Sequence, residues 1–203
     1  MLLTSLSNHN LTLPIQSSER RLHFYDRGEE IPLISEGIWQ VNRGVVQLLK
    51  FNTQGEETLL GWVQSDNYFG ILLTSLDTFQ AKALSDVYLQ WYSLTEIEKN
   101  AYLAQKILFQ VVKRLQQSEE LLAIAGLKRV EDRLIKLLKL LGREIGDKKE
   151  SSVRIKVKFT HQNLANAIST TRVTVTRLLG DLQKQGFISF DNSRHILLHN
   201  QKL

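Results

Sequence analysis

Between about residues 23 and 93 the chain alternates short apolar and polar runs, punctuated by glycine and by Asn or Asp. The run "EGIWQVNRGVVQLLKFNTQGEETLLGWV" reads as three strands, with "VNRG" and "NTQGEE" as turns and "VYLQWYSL" as a closing strand. Strands at this spacing predict an antiparallel barrel or roll. After Thr95 the pattern becomes helical, with no glycine or proline before Gly126. Ala101, Leu108, Leu115 and Leu122 recur every seven residues, and Ala104, Val111, Ser118 and Ala125 fill the second seam position. The stripe either packs on the helix's own roll or forms the seam of a two-stranded dimer. Its long unbroken period favours the dimer, with Leu108, Val111, Leu115, Ser118 and Leu122 against a second copy. Gly126 then ends or bends the helix.

A second helix, "VEDRLIKLLKLLGREIG", is predicted over about residues 128 to 143, ending at or shortly after Gly142. "GDKKESS" reads as a polar loop, and "VRIKVKF" alternates as a half-exposed strand. Thr160 is suited to cap "HQNLANAI", whose Leu164, Ala165 and Ile168 make one apolar side. "STT" breaks that short helix and can cap the next.

The segment that follows, "TTRVTVTRLL", is ambiguous by composition, because threonine and valine favour strands and alternate here at period two. A wheel at about 100° per residue resolves it. Val175, Leu178, Leu179 and Leu182 share one arc, while Arg172, Val173, Thr176, Arg177 and Gly180 share the other. A strand would split Leu178 from Leu179, so the segment is read as a helix. "GFISF" and "RHILLH" around Asp191, Asn192 and Ser193 then form a wing hairpin. The predicted fold is α+β: an antiparallel β-roll over 1–95, a long dimerisation helix over 96–126, and a winged helix-turn-helix over 127–203.

Composition narrows the function. A chain of 203 residues with 42% hydrophobic content can hold one large domain or two small ones. It has no apolar run long enough to cross a bilayer, and "MLLTSLSNHN" lacks the pattern of a signal peptide, so a cytoplasmic location is expected. With no cysteine there is no disulfide, thiolate zinc site, cysteine-bound iron–sulfur cluster or cysteine nucleophile. The net charge of +5 is unevenly spread: residues 1–126 carry 10 Lys and Arg against 14 Asp and Glu, and residues 127–203 carry 16 against 7. A polyanionic partner at the C-terminal end fits this asymmetry, although basic surface also serves solubility.

The exposed arc carries chemistry suited to a major groove. Arginine can donate two hydrogen bonds to O6 and N7 of guanine, and a valine or threonine methyl can touch the thymine methyl. Arg172, Val173 and Arg177 are the candidate base contacts, and Val173 is informative because burial does not account for it. Thr160, His161, Gln162, Thr171, Thr174 and Thr176, with the backbone amides at the helix starts, are candidate phosphate contacts that set register without reading sequence. The competing reading is a solvated helix face.

Taken together, the roll, long helix and winged helix resemble the Crp/Fnr superfamily of bacterial transcription regulators over nearly the whole chain. The segment "FTHQNLANAISTTRVTVTRLLGDLQKQGFIS" is most similar to the cyanobacterial global nitrogen regulators. The resemblance implies a cyclic-nucleotide-binding-like roll, a homodimer on double-stranded DNA, RNA polymerase as a partner, and Arg172, Val173 and Arg177 as readers of a GTA-N8-TAC-like palindrome. Ser169 stands where the family usually has a turn glycine.

The resemblance also bears on the sensor. Phe69 and Gly70 match the family's nucleotide cassette, but Ile71 replaces its glutamate, and no arginine occurs between Arg43 and Arg114. Cyclic nucleotide binding of the usual kind is therefore not expected, and no cofactor or metal is expected either. Arg114 and Glu119 match the spacing that the nitrogen regulators turn toward 2-oxoglutarate, although those regulators' second arginine is missing. Phe69, Gly70, Ile71, Leu72, Lys82, Arg114, Ser118 and Glu119 make up the candidate pocket for a small organic acid, with an effector-free roll as the alternative. An organic-acid-binding module whose C-terminal half serves protein interaction is the second functional class. A hydrolase is not supported, because no nucleophile, base and orienter share a suitable spacing.

Overall fold

The computed structural model describes residues 21–199. The signal-peptide reading of residues 1–10, and the outer ends of the first and last predicted domains, lie outside the described residues. The roll is built from β1 (Leu22–Tyr25), β2 (Glu30–Ile31), β3 (Gly37–Arg43), β4 (Val45–Phe51), β5 (Glu57–Gln64), β6 (Tyr68–Phe69), β7 (Phe79–Ala83) and β8 (Val87–Ser93). They form two antiparallel four-stranded sheets, ordered β1-β8-β3-β6 and β2-β7-β4-β5. Val41, Val46, Leu48, Val63, Ala81 and Leu89 meet between them as a buried core. All three strands expected from "EGIWQVNRGVVQLLKFNTQGEETLLGWV" are present as β3, β4 and β5.

One irregularity in β5 lies where the long helix meets the strand. The register between β4 and β5 shifts between Leu48 and Leu49, opposite Gly61 and Leu59, and Gly61 adopts φ 142°. A Cβ at Gly61 would sit 2.2 Å from Gln117 Oε1, so the glycine leaves room for the Gln117 side chain to reach the strand backbone. Gln117 is buried there: its Oε1 accepts from Trp62 N at 3.2 Å, and its Nε2 donates to Trp62 O at 3.3 Å and to Glu144 Oε2 at 2.6 Å. Burial raises the Glu144 carboxyl above its ordinary value, against the lowering effect of Gln117 and Arg143.

The helical stretch after the roll is divided, contrary to the single helix expected. α1 (Leu94–Lys99) and α2 (Ala101–Ala125) meet at Asn100, whose side chain accepts from Leu103 N and caps α2. Leu103, Ile107, Gln117 and Ile124 are the buried positions of α2, whereas Leu108, Val111, Leu115 and Leu122 are all exposed, Leu122 by 75%. The stripe therefore does not pack on its own roll. Ser118, the fifth seam residue, is exposed too, and its Oγ donates to Arg114 O at 3.0 Å.

α3 (Val130–Ile145) ends shortly after Gly142, as the sequence pattern predicts. A Cβ at Gly142 would lie 2.6 Å from Leu198 Cδ1, so this glycine serves close packing rather than termination. "GDKKESS" is likewise not a simple loop: β9 (Gly146–Lys148) pairs with β10 (Ser152–Ile155). α4 (His161–Ala167), α5 (Arg172–Lys184), β11 (Ile188–Phe190) and β12 (Ile196–His199) complete the described chain, and the last sheet is ordered β11-β12-β10-β9. Leu134, Leu137, Leu141, Leu164, Val175 and Leu179 lie in one buried cluster that also takes in Val45, Trp62 and Leu84 of the roll. The two halves thus share a core. Among the described residues no helix is long and apolar enough to cross a membrane.

Candidate nucleic-acid interface and sensor cavity

The helix pair is held by local polar bonds that its sequence encodes. Thr160 Oγ1 accepts from Asn163 N while Asn163 Oδ1 accepts from Thr160 N, each at 3.0 Å, which closes a capping box at the start of α4. Thr171 caps α5 by accepting from Thr174 N at 3.2 Å, and its hydroxyl lies 2.9 Å from that of Thr174. Between the helices Ser169 takes φ 51°, the left-handed conformation that its place in the turn demands. Arg133 of α3 locks that turn: its Nε donates to Ile168 O at 3.0 Å and its Nη1 to Leu127 O at 2.9 Å.

α5 sorts its residues as the wheel predicts. Val175, Leu178, Leu179 and Leu182 are buried, while Arg172, Thr176 and Arg177 are exposed. Val173 is 79% exposed, a large apolar side chain offered to solvent on a helix that otherwise buries its aliphatics. Arg177 Nη1 lies 3.4 Å from Asp181 Oδ2, a loose surface pair that leaves the guanidinium available. Among the phosphate candidates, His161 Nδ1 lies 2.7 Å from Thr176 Oγ1, which in turn donates to Arg172 O. Gln162 Nε2 donates to Asn166 Oδ1 at 2.6 Å. Across the helix pair only His161 and Thr176 meet among these candidates, whereas Thr160 and Gln162 stand at the start of α4 and Thr171 and Thr174 at the start of α5.

The wing is stapled to β10 at its turn. Arg154 Nε donates to Asp191 Oδ2 at 2.7 Å, and Arg154 Nη2 lies 2.7 Å from His195 Nδ1. The Arg154 hydrogen bond, followed by the backbone N–H of His195, holds the Asp191 carboxyl well below the usual carboxylate range.

The sensor candidates divide. Phe69, Gly70, Arg114 and Ser118 line one cavity of about 420 Å³, together with Leu48, Leu60 and Leu121, and with Asn166, Ala167 and Ser169 of the helix pair. Ile71, Leu72, Lys82 and Glu119 are not among its lining residues. β7 sends Phe79, Ala81 and Ala83 into the core, so the period-two pleat turns Lys82 to the other face. Ile71 and Leu72 sit in a 3-10 turn that leaves Leu72 exposed, and Glu119 is exposed on α2. Arg114 is largely buried, and its Nη1 has no hydrogen-bond partner. Desolvation lowers its pKa, against the attraction of Glu144.

Sequence reasoning missed Arg133, Gln117 and the contact between Asn166 and Glu57, in which Asn166 Nδ2 donates to Glu57 Oε2 at 3.1 Å. For Gln117 a signal existed: a glycine inside an otherwise regular strand marks a close approach of something to its backbone. For the other two, no local pattern distinguishes the residue from an ordinary surface polar group.

Comparison with known proteins agrees with this architecture. Residues 128–203 match the Crp-like helix-turn-helix domain. The chain is 30% identical to the global nitrogen regulator of Synechocystis sp. over 82% of its own length and 77% of that protein. It is also 30% identical to the global nitrogen regulator of Nostoc sp., over 81% and 78%. The structure of a CRP/FNR family transcriptional regulator from Thermus thermophilus superposes with a TM-score of 0.72, at 23% identity, over 90% of this chain and 95% of that one. Crp/Fnr regulators bind DNA and act as dimers, and the matched relatives are regulators rather than enzymes. On the length and identity of these matches, and on the roll, long helix and winged helix found here, the chain belongs to the Crp/Fnr family of DNA-binding transcription regulators.

Proposed function

We propose that the chain acts as a homodimer whose two α5 helices read a GTA-N8-TAC-like palindrome, with half-sites about one helical turn apart. The observation that carries this reading is the exposed trio Arg172, Val173 and Arg177 on a capped helix whose other face is fully buried. Arg172 and Arg177 supply bidentate donors for guanine, and Val173 a methyl surface for thymine. Thr160, His161, Gln162, Thr171, Thr174 and Thr176 hold phosphates and fix the register. The exposed α2 stripe supplies the dimer seam, since an apolar face of this extent on a helix otherwise packed against its own roll calls for a partner. Residues 1–95, 96–126 and 127–203 act as sensor, dimerisation helix and DNA-binding domain, in the cytoplasm and with RNA polymerase as the partner on DNA.

The roll is not suited to cyclic AMP: among the described residues that line the cavity, Arg114 is the only charged one, and it lies on α2 rather than in the nucleotide cassette. A small organic acid is the effector that this cavity supports. Selection of bound fragments from random duplex DNA tests the reading. Enrichment of palindromes with GTA and TAC arms supports it, whereas binding that weakens with salt but shows no sequence preference contradicts it.

A further inference from the structure

Residues 126–129 link the end of α2 to the start of α3, and Arg129, in the N-cap position of α3, makes no side-chain capping bond. The linker is held instead by Arg133, one turn into the helix. Its backbone N–H donates to Arg129 O at 3.1 Å and its Nη1 to Leu127 O at 2.9 Å, which fixes the linker at two points. Its Nε donates to a carbonyl 35 residues away, that of Ile168, at 3.0 Å. Ile168 is the C-cap of α4 and is 1% exposed, and the next residue is Ser169 at φ 51° in the turn before α5. A helix end leaves carbonyls without an intrahelical partner, and here a guanidinium from another helix meets one of them. Arg133 is itself anchored through its neighbour Leu134, which is buried in one cluster with Leu164, Val175 and Leu179.

We propose that Arg133 is a positioning residue for DNA reading: by tying the linker behind α2 to the turn in front of α5, it fixes the tilt of α5 against the long helix and so sets which separation of half-sites the dimer accepts. The proposal rests on the palindrome reading and deepens it. In a symmetric dimer joined along α2, the two α5 helices stand apart by the distance that their linkers impose. A linker free to bend lets that distance vary, and several spacers then bind alike. A held linker makes a spacer of the wrong length bind with strain or with lost contacts. The guanidinium suits this task because its donors are fixed in one plane and reach two carbonyls in separate segments. Lysine keeps the charge, but a single ammonium on a flexible stem does not hold both carbonyls in a set geometry.

Fluorescence anisotropy on the full chain tests this in the parent, Arg133→Lys and Arg133→Met, with GTA-N8-TAC duplexes and with duplexes whose spacer is one base pair shorter or longer. The parent should prefer one spacer. Both variants should weaken that preference by roughly two- to tenfold, the net contribution of a single hydrogen bond. Each should still prefer the GTA arm to its single-base variants, because the exposed face of α5 is unchanged. A partly unfolded variant lowers every affinity by one factor and leaves the ratios intact, so poor folding does not imitate this result. If both variants keep the parent's spacer preference, the proposal is overturned and Arg133 is a stabilising contact alone. Lysine restoring a preference that methionine loses overturns the two-point link in favour of charge. A parent that reads the arms yet binds all spacers alike overturns the proposal and leaves arm reading in place, whereas a parent that binds random duplex equally well overturns both.

Discussion

Asn166 of α4 donates its Nδ2 to Oε2 of Glu57 at the start of β5, 3.1 Å away, and so ties the DNA-binding half to the roll. Beside that bond Glu56 and Glu57 share an open cleft with Gln162, Thr171 and Arg172. Two carboxylates thus stand next to residues assigned to phosphate and base contacts. Replacing both by glutamine removes like-charge repulsion against the DNA backbone. DNA affinity should rise by a few-fold, about 0.2–1 kcal/mol per charge, equally on specific and random duplexes. Fluorescence anisotropy on both duplexes at matched salt reads this directly, and unchanged affinity on both would show that DNA engages the helix pair away from the cleft.

Leu115 is 59% exposed at the middle of the apolar stripe on α2 and contributes little to the monomer's own core. Leu115→Glu should halve the mass seen by sedimentation while leaving the thermal transition of the roll nearly unchanged. A chain that remains dimeric with this charge in place would remove α2 as the seam.

Ser169 holds φ 51°, where an L side chain meets its own backbone. Ser169→Gly relieves this, and about 1 kcal/mol of added stability to chemical denaturation is expected. A loss of stability would mean that the serine side chain contributes more than its conformation costs.

Arg154 and Asp191 pair at 2.7 Å across the wing, and the Asp191 carboxyl is held well below its usual range. A carboxyl depressed in the folded state adds stability above its unfolded value, and that contribution is lost as pH falls through its folded value. Asp191→Asn should therefore melt below the parent chain at neutral pH, and the gap should close in strong acid. A gap independent of pH would assign the effect to packing instead of charge.

Much of this architecture can be read from the chain because period-two runs, a seven-residue stripe and helix caps are local patterns. Thr160 and Thr171 cap where their sequence suggests, and the α5 wheel sorts Val175 and the leucines from Arg172 and Arg177 correctly. Reading fails where a residue answers to a distant one. Asn100 divides the stretch after Thr95, which the lack of glycine and proline reads as one helix. Lys82 in "QAKA" offers a cation for the pocket, whereas strand alternation turns it to the face opposite the core. The Asn166 to Glu57 contact spans the two halves and leaves no mark in either local sequence.

That the exposed face of α5 reads base pairs is tested most directly by measuring the affinity of Arg172→Ala for the selected palindrome and for each single-base variant of one half-site. A loss of about 1–3 kcal/mol on the parent site is predicted, with a flattened preference at one base pair and the other positions still discriminated. A uniform loss across every variant, with all preferences intact, would contradict base reading and make Arg172 a phosphate contact.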